Sequence, residues 1–254
     1  MTTIKSLKDT LGVNSLVTNE DANPKVAKSG KLGIRTAVLH LAPADLSGYE
    51  VCPMRSKGCT AACLHTSGNP AYFQNKNKSR IARTKAFFEH REAFMNLLVI
   101  ELAKFFTKAH NDGYEVAARL NGTSDIRWES MRFTVMDWVA ERVGYIGPRE
   151  KVTILEVFKD VQFYDYTKLP NRKNIPSNYH LTFSMNETNM DFAENSPLNV
   201  AVVFSGKLPD TYLGREVIDG DEHDYRPQDP DNVVVGLKAK GKARSDDSGF
   251  VVLV

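Results

Sequence analysis

A chain of 254 residues with 42% hydrophobic and 25% charged side chains carries enough apolar surface to bury a core, which excludes a disordered or fibrous polymer. Its 33 Lys and Arg nearly balance its 31 Asp and Glu, so the net charge of +2 is too small to drive binding to a polyanion without a local basic patch. No run of 18 apolar residues offers a membrane span, and the opening MTTIKSLKDTLGV lacks the basic-then-apolar order of a secretory signal; a cytoplasmic protein with no membrane partner is expected.

Residues 1–31 are polar around NEDANPKVAKSGK and show no sustained period, and are read as an N-terminal extension to a single domain spanning residues 32–254. IRTAVLHL, from Ile34 to Leu41, is apolar and β-branched enough for a buried strand, and APADLSG ends it with turn residues. The cysteine loop CPMRSKGCTAAC follows at residues 52–63. Next, SRIARTKAFFEHREAFMNLLVIELAKFFTKAH spaces Ile81, Phe88, Phe94, Leu98, Leu102 and Phe105 for one long amphipathic helix, which Asn111, Asp112 and Gly113 end. A strand is predicted from Tyr114 to Leu120 and a helix from Met131 to Val143. Further strands are predicted at 161–168, 180–187, 199–206 and 232–241, with a short one from Glu216 to Asp219. This alternation predicts an α/β fold: a mostly parallel sheet of about six strands, read as a partial (βα)6-type barrel with the cysteine loop after its first strand and ligands at the carboxyl ends of its strands.

Cys52, Cys59 and Cys63 are all the cysteines of the chain. Three thiols cannot all pair with one another, and a reducing compartment disfavours disulfides, so metal ligation is expected. Cys59 and Cys63 lie four residues apart and share one side of a helical turn, while Cys52 arrives across a stretch bent by Pro53 and Gly58. Two metal chemistries are open. Zinc would recruit His65 as a fourth ligand. An iron–sulfur cluster would use three thiolates and leave one iron for water or substrate. Burial as inert thiols is the third explanation, and the clustering argues against it.

The predicted strands end in polar or small residues: Asn121, Gly122, Thr123, Ser124 and Asp125; then Tyr164, Asp165, Tyr166 and Lys168; then Ser184, Asn186 and Glu187; then Ser205 and Gly206. Each alone is an ordinary cap or turn residue, but the set falls on the face where parallel α/β folds build sites. Asp125, Glu187, Tyr164, Asp165 and Lys168 are the candidate catalytic groups. Gly122, Thr123, Ser124, Asp125, Ser184, Asn186, Glu187 and Ser205 are the candidate cofactor contacts.

Three charged clusters complete the inventory. Lys76, Lys78, Arg80, Arg83 and Lys85, flanked by Tyr72 and Phe73, form either a phosphate-binding surface or a solvated helix face. Asp219, Asp221, His223 and Asp224 form either a hard-metal or acid–base cluster or an exposed acidic loop. Lys238, Lys240 and Lys242 form either an anion site or a charged sheet edge.

The segments CPMRSKGCTAACLHTSG, RLNGTSDIRWE, FYDYTK, LTFSMNE and GLKAKGKARSDDSGFVV, in this order, resemble the bacteriophage gene product 88 family from about Leu32 to the C-terminus. That resemblance implies a phage protein acting in an infected host cell, and no particular reaction. The layout is also similar to radical S-adenosylmethionine enzymes, in which a three-cysteine loop after the first strand of a partial barrel holds a [4Fe-4S] cluster whose open iron binds the cofactor. Their usual spacing is C-x3-C-x2-C; here it is C-x6-C-x3-C. This second resemblance implies that Asp125 accepts the methionine amino group and that Ser184, Asn186 and Glu187 lie near a ribose. The expectation is therefore an iron–sulfur protein, radical-SAM-like or Lewis-acid in chemistry, acting on a small molecule or nucleotide-like substrate. The alternatives are a nucleic-acid-binding protein or a zinc-stabilised interaction protein of phage metabolism.

Overall fold

The computed structural model describes residues 3–18, 28–63 and 73–254. Ten strands make one sheet: β1 (Val17–Thr18), β2 (Ile34–Leu39), β3 (Glu115–Arg119), β4 (Gln162–Thr167), β5 (Tyr179–Ser184), β6 (Val200–Phe204), β7 (Thr211–Tyr212), β8 (Arg215–Asp219), β9 (Val234–Lys238) and β10 (Val251–Val252). Their order is β1-β2-β3-β4-β5-β6-β9-β8-β7, with β10 paired to β6. All neighbours from β2 to β8 run parallel, while β1 and β7 are antiparallel at the two edges. Central strands such as VAVVF of β6 are apolar on both faces because parallel sheets are covered on both sides.

The sheet is mostly parallel and is not closed; the six long strands expected from the sequence lie side by side in chain order as β2-β3-β4-β5-β6-β9. A barrel needs its last strand to pair with its first. Here the order reverses after β6: the chain passes through the β7–β8 hairpin and inserts β9 between β6 and β8, leaving no strand free to close on β2. The β4-to-β5 connection, residues 168–178, carries no helix.

β6 has an uneven edge that shapes the site. One side pairs with β9 along its whole length, from Val200 to Phe204. The other side pairs with β5 only at Val200 and Ala201, and with β10 at Val203 and Phe204. β5 and β10 therefore share one edge in succession, and the sheet splits between them at its carboxyl end.

The helices are α1 (Ile4–Leu11), α2 (Lys57–Ala61), α3 (Phe73–Glu89), α4 (Arg91–Asn111), α5 (Asp137–Val143), α6 (Ile154–Val157) and α7 (Met190–Glu194). The single long helix expected from periodicity is two, because His90 leaves helical geometry at φ −135° and ψ 50° while the apolar spacing runs through it unbroken. α4 buries Phe94, Met95, Leu97, Leu98, Val99 and Leu102 nearly all round, as a helix at the centre of a core does. α1 begins with a Thr3–Ser6 capping box and ends at Gly12 in the left-handed region (φ 61°); its Leu7 and Leu11, with Val13 and Leu16, join that same core. Eight residues are too few for a period to show. The helix expected from Met131 starts only at Asp137, since Phe133 forms a β-bridge with Val152 instead. Among the described residues, no helix is long and apolar enough to cross a membrane.

Candidate functional site

β2 delivers the chain to the carboxyl edge of the sheet at His40, and residues 40–63 fold across that edge. Val51 is fully buried, and its carbonyl accepts the Asp125 N–H at 2.7 Å, tying the loop to the segment after β3. Cys52 N–H donates to Glu50 Oε1 at 2.7 Å, and Cys52 Sγ lies 3.8 Å from the Thr123 carbonyl oxygen. Pro53 and Met54 turn the chain so that Arg55 N–H reaches the Cys52 carbonyl at 2.9 Å. Ser56 then caps α2, its Oγ accepting the Cys59 N–H at 3.1 Å and so relieving one of the open N–H groups at the helix start.

Both oxygens of Glu187 grip this cap. One accepts the Ser56 hydroxyl at 2.6 Å, the other the Gly58 N–H at 2.7 Å, and neighbouring Asn186 donates its amide to the Met54 carbonyl at 3.3 Å. From the opposite side the C-terminal segment closes down. A Cβ at Gly58 would come 2.0 Å from Ser248 Oγ and 2.8 Å from Phe250 Cβ. The cysteine loop thus sits over the split between β5 and β10, held by residues that follow the first and precede the second.

Each of the three cysteines is part-buried. Burial pushes the Cys52 thiol up to about 12, and the charges of Cys63 and Cys59 push it the same way. Cys52 is therefore a protonated thiol unless a metal displaces the proton. Among the described residues, no three His, Cys, Asp or Glu side chains are grouped closely enough to hold a metal ion. His65, the fourth zinc ligand expected from the sequence, lies outside the described residues, as does Tyr72.

The strand ends after β3 and β4 lock together beside the thiols. Asn121 organises the NGTSD turn: its Oδ1 accepts Ser124 Oγ–H at 2.9 Å, Ile126 N–H at 2.9 Å and Trp128 Nε1–H at 3.1 Å. Thr123 Oγ1 donates to the Leu41 carbonyl at 2.6 Å. Gly122 has no room for a side chain, since a Cβ there would stand 2.3 Å from His40 Nδ1. Asp125 is buried; its Oδ2 accepts the Lys168 N–H at 2.7 Å, its Oδ1 has no hydrogen-bond partner, and burial raises its pKa. Lys168 Nζ donates to Ser184 Oγ at 2.6 Å and lies 5.9 Å from the Phe250 ring centre.

The family described as Gene product 88 matches residues 13–253, a span that holds the cysteine loop, every strand end and the C-terminal segment. The chain belongs to the gene product 88 family. No curated protein matches it, and no solved structure does. The family assignment named from the sequence motifs therefore holds.

Several residues grouped by sequence as one site do other work in this family fold. Asp165 accepts the Asn121 N–H at 2.7 Å and the Tyr179 hydroxyl at 2.8 Å, a fully internal link between β3, β4 and β5. Tyr164 points to the opposite face of β4, where its hydroxyl lies 3.3 Å from Thr36 Oγ1 and 3.4 Å from Asp224, away from the loop. Ser205 N–H holds β10 through the Val252 carbonyl at 3.0 Å. The acidic run is neither a metal cluster nor free in solvent. Asp224 pairs with Arg119 at 2.8 Å, Asp219 with Lys238 at 3.3 Å, Asp221 with Lys240 at 2.8 Å, and His223 meets Arg226. Of the basic helix start, Lys76, Lys78 and Lys85 are exposed, whereas Arg80 and Arg83 are buried.

Sequence reasoning passed over His40, which stands near the end of the strand run IRTAVLHL. Burial lowers its pKa, and Arg80, Arg119, Arg83 and Lys76 add to the effect, so its imidazole is neutral. Nothing in GKARSDDSGFVV announces that the C-terminal segment returns to the loop.

Proposed function

We propose that this member of the gene product 88 family is an iron–sulfur protein in which Cys52, Cys59 and Cys63 ligate a [4Fe-4S] cluster with one open iron, and that the bound cluster acts on a small molecule at the carboxyl edge of the sheet. The observation that supports the reading is that the loop carrying all three cysteines is clamped by two separate parts of the chain beside the split between β5 and β10. The donor set suits the group: three sulfurs with no disulfide, and Cys63 in the field of buried Arg80, whose positive charge would offset the negative charge of ligated thiolates. When bound, the cluster supplies an iron able to act as a Lewis acid or to pass one electron.

The chain's own residues have separate tasks. Glu187 and Asn186 set the loop, Asp125 offers a buried carboxyl oxygen that accepts no hydrogen bond and lies 3.9 Å from Arg172 Nη1, and Lys168 and Ser184 offer a polar pair beside it. Because Asn186 and Glu187 are engaged by the loop, the reading gives them no ribose to hold and includes no S-adenosylmethionine.

Anaerobic purification with iron, sulfide and zinc analysis and a visible spectrum, on the wild type and Cys59→Ala, tests it. About four irons and four sulfides per chain, lost in the variant, are expected. A colourless protein with one zinc would overturn the cluster and leave a structural metal.

A further inference from the structure

Buried arginines in this fold find acceptors. Arg226 pairs with Asp229 at 3.1 Å, Arg215 donates to the Leu198 carbonyl at 2.8 Å and the Ser196 carbonyl at 2.7 Å, and Arg83 donates to the Ser15 carbonyl at 2.7 Å. Arg80 differs. It is only 4% exposed, its Nη1 is buried without a hydrogen-bond partner, and no carboxylate among the described residues pairs with it. A buried guanidinium without a paired carboxylate is costly to keep, and among the described residues Cys63 is the group of opposite sign that acts on it, which leaves Arg80 able to take an added anion.

Apart from Cys63, the charged groups that act on Arg80 are basic. Lys76, Arg80 and Thr84 follow one another at one-turn intervals on the same face of α3. The Ala42 N–H donates to Thr84 Oγ1 at 2.8 Å, which docks that face onto the chain just beyond β2. Two residues before Ala42 stands His40, whose Nδ1 is also buried without a partner and packs on the bare backbone of Gly122. Thr123, next in line, leads directly to Cys52.

We propose that Arg80, with His40 beneath it and Lys76 at its rim, forms an oxyanion pocket beside the cysteine loop that takes the phosphate or carboxylate group of a small-molecule substrate. The metal-centre reading enters only in saying what becomes of the bound anion, since no cysteine helps to form the pocket. Removing Arg80 then abolishes anion binding and, because it also removes an unsatisfied buried charge, raises the stability of the ligand-free chain. An arginine with a structural role would lower it.

The test is thermal unfolding of wild type, Arg80→Met, Lys76→Met and Cys59→Ala in inorganic phosphate and in succinate, each against sodium chloride at equal ionic strength. At an anion concentration one hundred times its Kd, the Tm of wild type and of Cys59→Ala rises by about 5 °C or more. Arg80→Met melts higher than wild type without anion and shows no rise. Whichever anion gives the larger response assigns the substrate group. If Arg80→Met does not fold, the exposed Lys76→Met must still weaken anion binding several-fold. The pocket is refuted if neither anion moves wild type, or if Arg80→Met or Lys76→Met responds as wild type does. A response present in wild type and absent in Cys59→Ala also refutes it, because the anion would then be held by the metal, whose reading would stand.

Discussion

Glu187→Ala is the sharpest test of how the cysteine loop is held. The wild-type carboxylate accepts two hydrogen bonds, from Ser56 Oγ at 2.6 Å and from the Gly58 N–H at 2.7 Å. Hydrogen bonds to a charged acceptor contribute roughly 1.5–3 kcal/mol each, and the part-exposed position of Glu187 points to the lower end, so the pair contributes about 3 kcal/mol. In a chain of this size that lowers Tm by roughly 6–12 °C. Glu187→Gln should lose about half as much, because one amide oxygen can accept the Gly58 N–H while the amide N–H turns to the Ser56 oxygen. The assay is a urea midpoint at neutral pH together with the rate at which iodoacetamide alkylates Cys59. The Ala variant should unfold earlier and alkylate faster, with Gln between the two. A Glu187→Ala chain within about 0.5 kcal/mol of wild type, alkylating at the wild-type rate, would refute the clamp.

Other perturbations reach other layers. Burial raises Asp165 to about 7 even though it accepts bonds from the Asn121 N–H and the Tyr179 hydroxyl. A carboxyl that binds its proton more tightly folded than unfolded stabilises fully below its unfolded value near 4, and that contribution is lost as pH rises to about 7, roughly 4 kcal/mol in all. Asp165→Asn should flatten the urea midpoint across that window; an unchanged slope would contradict it. Asp224→Asn leaves the Arg119 guanidinium buried without its 2.8 Å partner and should cost about 3–5 kcal/mol. Lys240→Met, which breaks a half-exposed pair with Asp221, should cost under about 1 kcal/mol in the same denaturation series. Gly58→Ala forces a methyl into Ser248 and Phe250 and should cost about 1–3 kcal/mol while speeding Cys59 alkylation.

The sequence by itself determined the local order. β-Branched runs such as IRTAVLHL and NVAVVFSG become strands because their side chains suit a sheet covered on both faces, and all the long parallel strands fall where those runs are. The five separated motifs likewise carried the family, and the polar residues that follow the predicted strands lie at the carboxyl edge of the sheet. Short pieces escaped: α1, β1, β7 and β10 span too few residues for a period, and their stability comes from what they pack against. Only the tertiary structure decided that the sheet stays open, since strand order depends on which edge the returning chain meets. It also divided residues of one type into different roles. Glu187 meets Ser56 across 131 positions and Tyr164 meets Thr36 across 128, distances over which no sequence period operates. Arg80 and Lys78 look alike in the sequence, two residues apart on one helix; the direction of the helix face buries one without a partner and leaves the other in water.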